Sequence, residues 1–274
     1  MALPPPRRFG NVVTDVTVAI QLTGASVDRS GTRVIHDVDL IVPAASWFGL
    51  IGANGSGKTS LLRAIAGRLP FASGSCVIDG ADLVENRTAR AERFGFAPPA
   101  DRLPDALRVR DLLELVSGNI DVASERLGPV RAALGIDELL NKWMGDCSTG
   151  MRQRVAIALA FAGAQSLVVL DEPFNWLDPV AAFDLRQALR TLVDGGLTLL
   201  TALHDLGTLS TSCDEGMMLA DGRVALAIDR ATLAQAAQSP REFERQTIDL
   251  LRSGSESNSA SCPPSRLNPH LEAR

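Results

Sequence analysis

Residues 47–59 read WFGLIGANGSGKT: an apolar run, Trp47 to Ile51, followed by Gly52-Ala53-Asn54-Gly55-Ser56-Gly57-Lys58-Thr59. The run has the composition of a short strand buried on both faces of a parallel sheet. The eight residues after it match GxxxxGK[ST], and helical spacing follows from Ser60 to Leu69. Glycines at 52, 55 and 57 permit backbone angles closed to other residues, so successive N–H groups can turn inward toward phosphate oxygens beside a helix N-terminus. Lys58 then reaches the terminal phosphates and the Thr59 hydroxyl becomes a Mg²⁺ ligand. The stretch predicts a nucleotide-phosphate cradle on a strand–loop–helix unit.

Working outward, a second apolar run, Leu167 to Leu170, ends in Asp171-Glu172-Pro173. A carboxylate at the C-terminal end of a buried strand faces the crevice where ligands sit, so Asp171 is expected to hold Mg²⁺ through water. Glu172, the next residue, is the candidate for polarising an attacking water. A third run, Leu197 to Leu203, and helical segments at Met151 to Ala164 and Pro179 to Val193 complete an alternation that predicts an α/β sheet with right-handed crossovers. Two stretches interrupt it. Residues 12–45 are rich in Val, Thr and Ile with turn residues and predict an antiparallel β segment, whereas residues 105–145 carry a helical pattern and predict a helical insertion. The expected fold is therefore α/β, a phosphate-loop core with a mixed, largely parallel sheet, an N-terminal antiparallel β subdomain and a helical subdomain at about 100–150. One such phosphate-loop domain is assigned to 12–252. The Pro/Arg-rich residues 1–11 and the Ser/Pro/Asn-rich residues 253–274 are expected to be poorly ordered tails.

Composition narrows the function. The 274 residues carry 27 Lys plus Arg against 32 Asp plus Glu, a formal charge of −5, which argues against a protein that coats nucleic acid. A hydrophobic content of 46% is ample for a core. The longest unbroken apolar or glycine stretch, Val155 to Ala164, falls short of the roughly 18 to 20 residues of a membrane span. The opening MALPPPRR lacks the apolar segment of a secretory signal, and Cys76, Cys147, Cys213 and Cys262 show no metal-ligand spacing, so a reducing cytoplasm is expected. His36 and His270 fit no motif and are assigned to a surface loop and to the tail.

Further motifs occur in a fixed order: Cys147-Ser148-Thr149-Gly150-Met151-Arg152-Gln153-Arg154 before a helix, Leu177-Asp178 just beyond Glu172, and His204 after the third apolar run. With the phosphate loop and Asp171-Glu172 they resemble the nucleotide-binding subunit of ATP-binding cassette (ABC) transporters over residues 16–230. The resemblance implies an ATPase that uses ATP and Mg²⁺. Ser148 and Gly150 fall in a form of the LSGGQ signature, which in that family completes the ATP site of the opposite subunit. Asp178 falls in the loop that lines the dimer seam, and His204 matches the switch histidine that contacts the γ-phosphate. The implied partners are a second cassette, as homodimer or heterodimer, and separate integral membrane subunits that dock on residues 105–145, with no nucleic acid. The implied location is cytoplasmic, at the inner face of the membrane. The form of Ser148–Arg154 resembles bacterial exporter cassettes.

Three positions depart from the family's pattern. Pro99 stands where a glutamine usually contacts the metal, and it has neither side-chain oxygen nor N–H. No aromatic lies between Phe9 and Trp47, where the family stacks one on adenine; Arg29 or Ser30 falls there, and Arg29 is expected either to stack through its guanidinium or to sit in a solvated turn. Cys147, Thr149 and Met151 replace the usual Leu, Gly and Gln of the signature. Because Lys58, Thr59, Asp171, Glu172 and His204 are all present, an active if slow ATPase is expected. The alternatives are a soluble cassette working on ribosomes or DNA, an unrelated phosphate-loop kinase or GTPase, and a binding-only regulator that has lost hydrolysis.

Overall fold

The computed structural model describes residues 17–238 together with 241, 243 and 245. The tails assigned at 1–11 and 253–274, with His270 and Cys262, lie outside those residues. In chain order the elements are β1 (Val18–Arg29), β2 (Thr32–Pro43), β3 (Trp47–Ile51), α1 (Lys58–Ile65), β4 (Ser73–Ile78), β5 (Ala81–Asp82), α2 (Arg87–Arg93) and β6 (Phe94–Phe96). They continue with α3 (Val109–Ser117), α4 (Ile120–Leu127), α5 (Pro129–Ala133), α6 (Ile136–Leu139), α7 (Thr149–Ala162), β7 (Leu167–Asp171), α8 (Pro179–Asp194), β8 (Thr198–Leu203), α9 (Leu206–Ser212), β9 (Glu215–Ala220), β10 (Arg223–Ile228) and α10 (Arg230–Gln238).

Two sheets organise these elements. A four-stranded sheet runs β2-β1-β4-β5 with antiparallel neighbours, and a six-stranded sheet runs β10-β9-β3-β8-β7-β6, parallel except at the β10 edge. The antiparallel sheet thus draws half its strands from residues 73–82, beyond the phosphate loop, where no antiparallel segment is expected from the sequence. At the centre of the parallel sheet every residue of β3 and β8 is buried, as their largely apolar composition requires, and the hydroxyls of Thr198 and Thr201 in β8 accept from Ala45 N and the Trp47 indole. Trp47 is locked there by its indole N–H donating to Thr201 Oγ1 at 2.8 Å and its backbone N–H donating to Asp214 Oδ2 at 2.9 Å. That pairing satisfies the one polar atom a fully buried tryptophan carries.

Two cores flank the parallel sheet. On one face α1 contributes Leu61, Leu62 and Ile65, which pack with Val27, Ile35 and Leu40 of the antiparallel sheet and with Phe48, Leu50, Leu200 and Ala202. On the other face Val155 to Ala162 of α7 pack with Leu185 and Leu189 of α8 and with Leu113, Leu127 and Val130 of the helical segment. Fully burying each such aliphatic side chain contributes on the order of 1.5–3 kcal/mol, so both layers are held firmly against the sheet that carries the site. Gly95 sets the closeness of α7 to the sheet: a Cβ there would stand 1.9 Å from the Ala160 carbonyl oxygen. Small boundary differences from the sequence reading arise at helix starts, where α1 begins at Lys58 and α7 at Thr149 because Gly57 and Ser148 are the cap residues. His36 is not in a loop but in β2, where its N–H donates to Gly222 O at 2.8 Å.

Candidate active site

The phosphate loop joins β3 to α1 and is held in shape by its glycines. Gly52 has φ +155° and a Cβ on it would lie 2.3 Å from Leu219 O and 2.6 Å from Ser56 Oγ. Gly57 has φ +105° and caps α1 without any side-chain hydrogen bond, leaving the first-turn N–H groups of the helix facing the loop. Ser56 N donates to Ala53 O at 3.1 Å, and Ser56 O accepts from Gly222 N at 3.0 Å, so the β9–β10 turn braces the loop from behind. Inside the cradle Ser56 Oγ is buried with no hydrogen-bond partner among the described residues. Lys58 is buried and its Nζ donates to Gly52 O at 2.7 Å and Ala53 O at 3.3 Å. An orphaned hydroxyl, an ammonium and a helix N-terminus around one concavity are a donor set that fits phosphate oxygens.

This concavity is a cavity of about 400 Å³ lined by loop residues 54–59 with Ser60 and Arg63 of α1, Glu172, and Arg29 and Val34 of the β1–β2 hairpin. At its edge the Thr59 hydroxyl donates to Asp171 Oδ1 at 3.2 Å, across the ends of α1 and β7. Burial raises the Asp171 pKa above the ordinary carboxylate value and neighbouring Glu172 adds to this, while the Thr59 hydrogen bond and the charges of Arg63 and Lys58 oppose it. Two oxygens this close, one a carboxylate disfavoured as an isolated buried charge, fit Mg²⁺, which keeps several waters and takes its remaining ligands from substrate phosphates.

Glu172 follows β7 with φ +53°, the left-handed region that costs a side-chain-bearing residue strain and recurs at functional sites. Its Oε2 accepts from Asn175 Nδ2 at 2.8 Å and lies 2.7 Å from His204 Nε2. Both contacts are made by one carboxylate oxygen, and Glu172 lines the cavity. Glu172 and His204 are therefore brought together at the ends of β7 and β8, as adjacent parallel strands demand.

Ser148, Gly150 and Asp178 lie elsewhere. Ser148 caps α7, its Oγ accepting from Met151 N at 3.3 Å, and Asp178 caps α8, accepting from Val180 N at 3.1 Å and Ala181 N at 2.9 Å. Those bonds hold the Asp178 carboxyl below its ordinary pKa. The two caps belong to one surface: Arg154 of α7 pairs with Asp178 at 3.0 Å, and a Cβ on Gly150 would lie 2.8 Å from Trp176 O. None of the three lines the cavity. Pro99 does not line it either; it starts a 3₁₀ turn at Ala100–Arg102, with Pro99 O accepting from Arg102 N at 3.0 Å.

Sequence reasoning misses Val34, Arg63 and Asn175. Arg63 is detectable, since it lies one turn beyond Thr59 on α1 and so on the same helix face. Asn175 sits three residues past Glu172 in a tight turn, Asn175 N donating to Glu172 O at 3.2 Å, but nothing local assigns its amide to that carboxylate. Val34 reaches the cavity only through the pairing of β1 with β2.

The ABC transporter family model matches residues 35–175. The chain is 30% identical over 229 residues to the Nod factor export ATP-binding protein I of Cupriavidus pinatubonensis, covering 80% of this chain and 70% of that protein. It is also 30% identical over 215 residues to the cobalamin import ATP-binding protein BtuD of Halobacterium salinarum, covering 76% of this chain and 54% of that protein. A solved ATP-binding subunit of an ABC transporter superimposes with a TM-score of 0.74 at 25% identity, covering 85% of this chain and 99% of that one. A braced phosphate loop, a Thr59–Asp171 pair and a Glu172–His204 pair on this sheet order, together with these matches, place the chain in the ABC transporter family, as an ATP-binding subunit.

Proposed function

We propose that the chain hydrolyses ATP and uses the cycle to drive transport through separate membrane-spanning subunits. The observation that supports hydrolysis most strongly is the Glu172 carboxylate, which lines the phosphate cavity and is held at Oε2 by Asn175 and His204. In this reading residues 52–57 and the N-terminus of α1 bind the phosphates through N–H groups, and Lys58 turns from the Gly52 and Ala53 carbonyls to the β- and γ-phosphates. Thr59 and Asp171 hold Mg²⁺, which when bound neutralises the charge that develops on the phosphate oxygens. Glu172 orients the attacking water and accepts its proton, and His204 contacts the γ-phosphate from the end of β8.

The separation of the site residues into two groups supports pairing with a second cassette. Ser148, Gly150 and Asp178 lie on a surface outside the lining of the chain's own cavity, near the exposed apolar side chains of Trp176, Val180 and Phe183. A nucleotide gripped by the cradle of one subunit and the Ser148 cap of the other favours the closed pair only through contacts made across the seam. Exposed Leu115 and Val116 on α3, with Trp143 stacked on Arg108 at 4.8 Å, give the helical segment an apolar face that suits docking of the membrane subunits. No helix among the described residues is long and apolar enough to cross a membrane, so this reading requires such subunits and places the chain at the inner face of the membrane. The form of Ser148–Arg154 favours export, while the relatives are named for both export and import.

Pro99 favours one competing reading, a regulator that binds ATP without hydrolysing it, because it removes a metal-contacting side chain. Affinity capture from native cells with Glu172→Gln, which preserves nucleotide binding while slowing hydrolysis, tests the transport assignment. Recovery of an integral membrane protein supports it; recovery of ribosomes or DNA-processing proteins without a membrane partner refutes it.

A further inference from the structure

The phosphate loop is shaped in part by a segment that carries none of the sequence motifs. Strands β9 and β10 are joined by Asp221-Gly222, with Ala220 paired to Arg223 and both turn residues at positive φ, +47° and +71°. Two positive φ angles mark a two-residue type I′ hairpin turn, which Asp-Gly favours and which closes through the flanking pair, residues 220 and 223. The N–H and C=O of Gly222 are thereby left to bond outward. They do so in both directions: Gly222 N donates to Ser56 O at 3.0 Å, and Gly222 O accepts from His36 N of β2 at 2.8 Å. The turn is wedged between β2 and the loop with no room for a side chain, because a Cβ on Gly222 would lie 2.3 Å from Val34 O and 2.9 Å from His36 Cδ2. On the loop side, a Cβ on Gly57 would stand 3.6 Å from Gly222 Cα.

We propose that Gly222 is a positioning residue for phosphate binding, acting through the peptide that joins Ser56 to Gly57. The inference rests on reading the cavity as an ATP site and names a residue outside its lining that sets its affinity. In a planar trans peptide the C=O and the N–H that follows it point in opposite directions. With Ser56 O turned back onto Gly222, the Gly57 N–H is turned away from the hairpin, and Gly57 is among the residues that line the cavity. That N–H donates to no described residue, so it stands ready for a phosphate oxygen. The loop by itself does not hold it there, because the Ser56–Gly57 peptide lies between Gly55 and Gly57, residues whose backbones turn with little steric resistance. A donor fixed in place before the anion arrives spares binding the cost of ordering it. Gly222 thus acts on phosphate without touching it, and acts equally on any ligand that carries the polyphosphate.

Gly222→Ala drives a methyl group against Val34 O and mixes folding with positioning, so the decisive variant leaves the side chain alone. An ester oxygen replaces the Gly222 N–H in a full chain made by ligating residues 1–212 to a synthetic 213–274 at Cys213. The same ligated chain with the ordinary amide is the reference. Titration calorimetry with MgATP and with magnesium tripolyphosphate is expected to show both ligands weakened about 3- to 10-fold, by the same factor. Ligand-free Tm is expected to fall by only about 2–4 °C, the loss of one hydrogen bond. With the 1–212 segment labelled with ¹⁵N, the Gly57 amide proton resonance should move on binding tripolyphosphate, and move less in the ester. Unchanged affinity for tripolyphosphate in the ester would overturn the proposal whatever happens to Tm, since a purely structural brace moves Tm alone. A Gly57 resonance that tripolyphosphate leaves in place would overturn it too. Lys58→Ala separates these outcomes from failure of the ATP-site reading: if MgATP binds that variant at full strength, the cavity itself has been misassigned.

Discussion

Asp171→Asn makes opposite demands on stability and on ligand binding. In the nucleotide-free chain Asp171 is a carboxylate whose burial, next to Glu172, pushes its pKa up; Asn keeps an oxygen for the Thr59 hydroxyl and removes the charge. Lys58 and Arg63 recover part of the desolvation cost, and the remainder is relieved on substitution, so Asn is expected to raise Tm in the absence of ligand. The pH dependence has a definite sign. A carboxyl whose native pKa is raised costs nothing where both states are protonated, and its cost grows as pH rises from the ordinary carboxylate range, about 4, through the native value. The advantage of Asn is therefore fullest at pH 8 and shrinks toward acid. With ligand the order reverses. A hundredfold excess of MgATP over its Kd stabilises the native chain by about 2.7 kcal/mol, or roughly 5–10 °C, and the part of that gain supplied by Mg²⁺ disappears in Asp171→Asn. Thermal unfolding of both proteins with no ligand, ATP plus chelator, and MgATP reads all of this. A variant less stable than the parent without ligand, or one that keeps the full Mg²⁺ increment, would refute the assignment of Asp171 as a charge retained for a cation.

Asn175→Ala leaves one donor on Glu172 Oε2 and is expected to lower ATP turnover by about tenfold while nucleotide affinity, measured separately, is unchanged. Gly95→Ala drives a methyl group into the Ala160 carbonyl and should lower Tm by about 5–10 °C, read by calorimetry, as β6 is forced away from α7. Asp178→Ala removes the α8 cap and the Arg154 ion pair and should lower the midpoint of denaturant unfolding. Burial pushes the Cys76 thiol up to about 12, and Cys213 is raised further for the same reason, so both should resist alkylation in the native chain at pH 8 and react on unfolding.

The parts of the site legible in the sequence are those where one short segment carries both the fold and the chemistry. Gly52 to Thr59 encode the strand end, the loop and the helix start at once, and Asp171-Glu172 follow a run whose burial is unmistakable. Asp178 and Ser148 announce themselves as helix caps because Pro179 follows the one and a long helix-forming run the other. What the sequence does not reveal depends on pairing at a distance. Half of the antiparallel sheet comes from beyond an intervening helix, β4 pairing with β1 and β5 with β4, and the short β6 is recognisable only beside β7. For the same reason Val34 reaches the cavity unannounced, and Arg29, with two opposite fates open to it, is placed on the cavity wall by the hairpin register and by nothing in its neighbours. Asn175 is a local miss of a different kind: its backbone turn is predictable, but the choice of Glu172 Oε2 as partner is made by side-chain geometry.

Hydrolysis as proposed requires Lys58, Thr59, Asp171 and Glu172 to form a working site despite proline at position 99. Phosphate release from MgATP by the complex captured from native cells, compared with the same complex carrying Lys58→Ala, tests it most directly. Turnover at least tenfold above the Lys58→Ala control is the predicted result, and turnover indistinguishable from that control would contradict the claim.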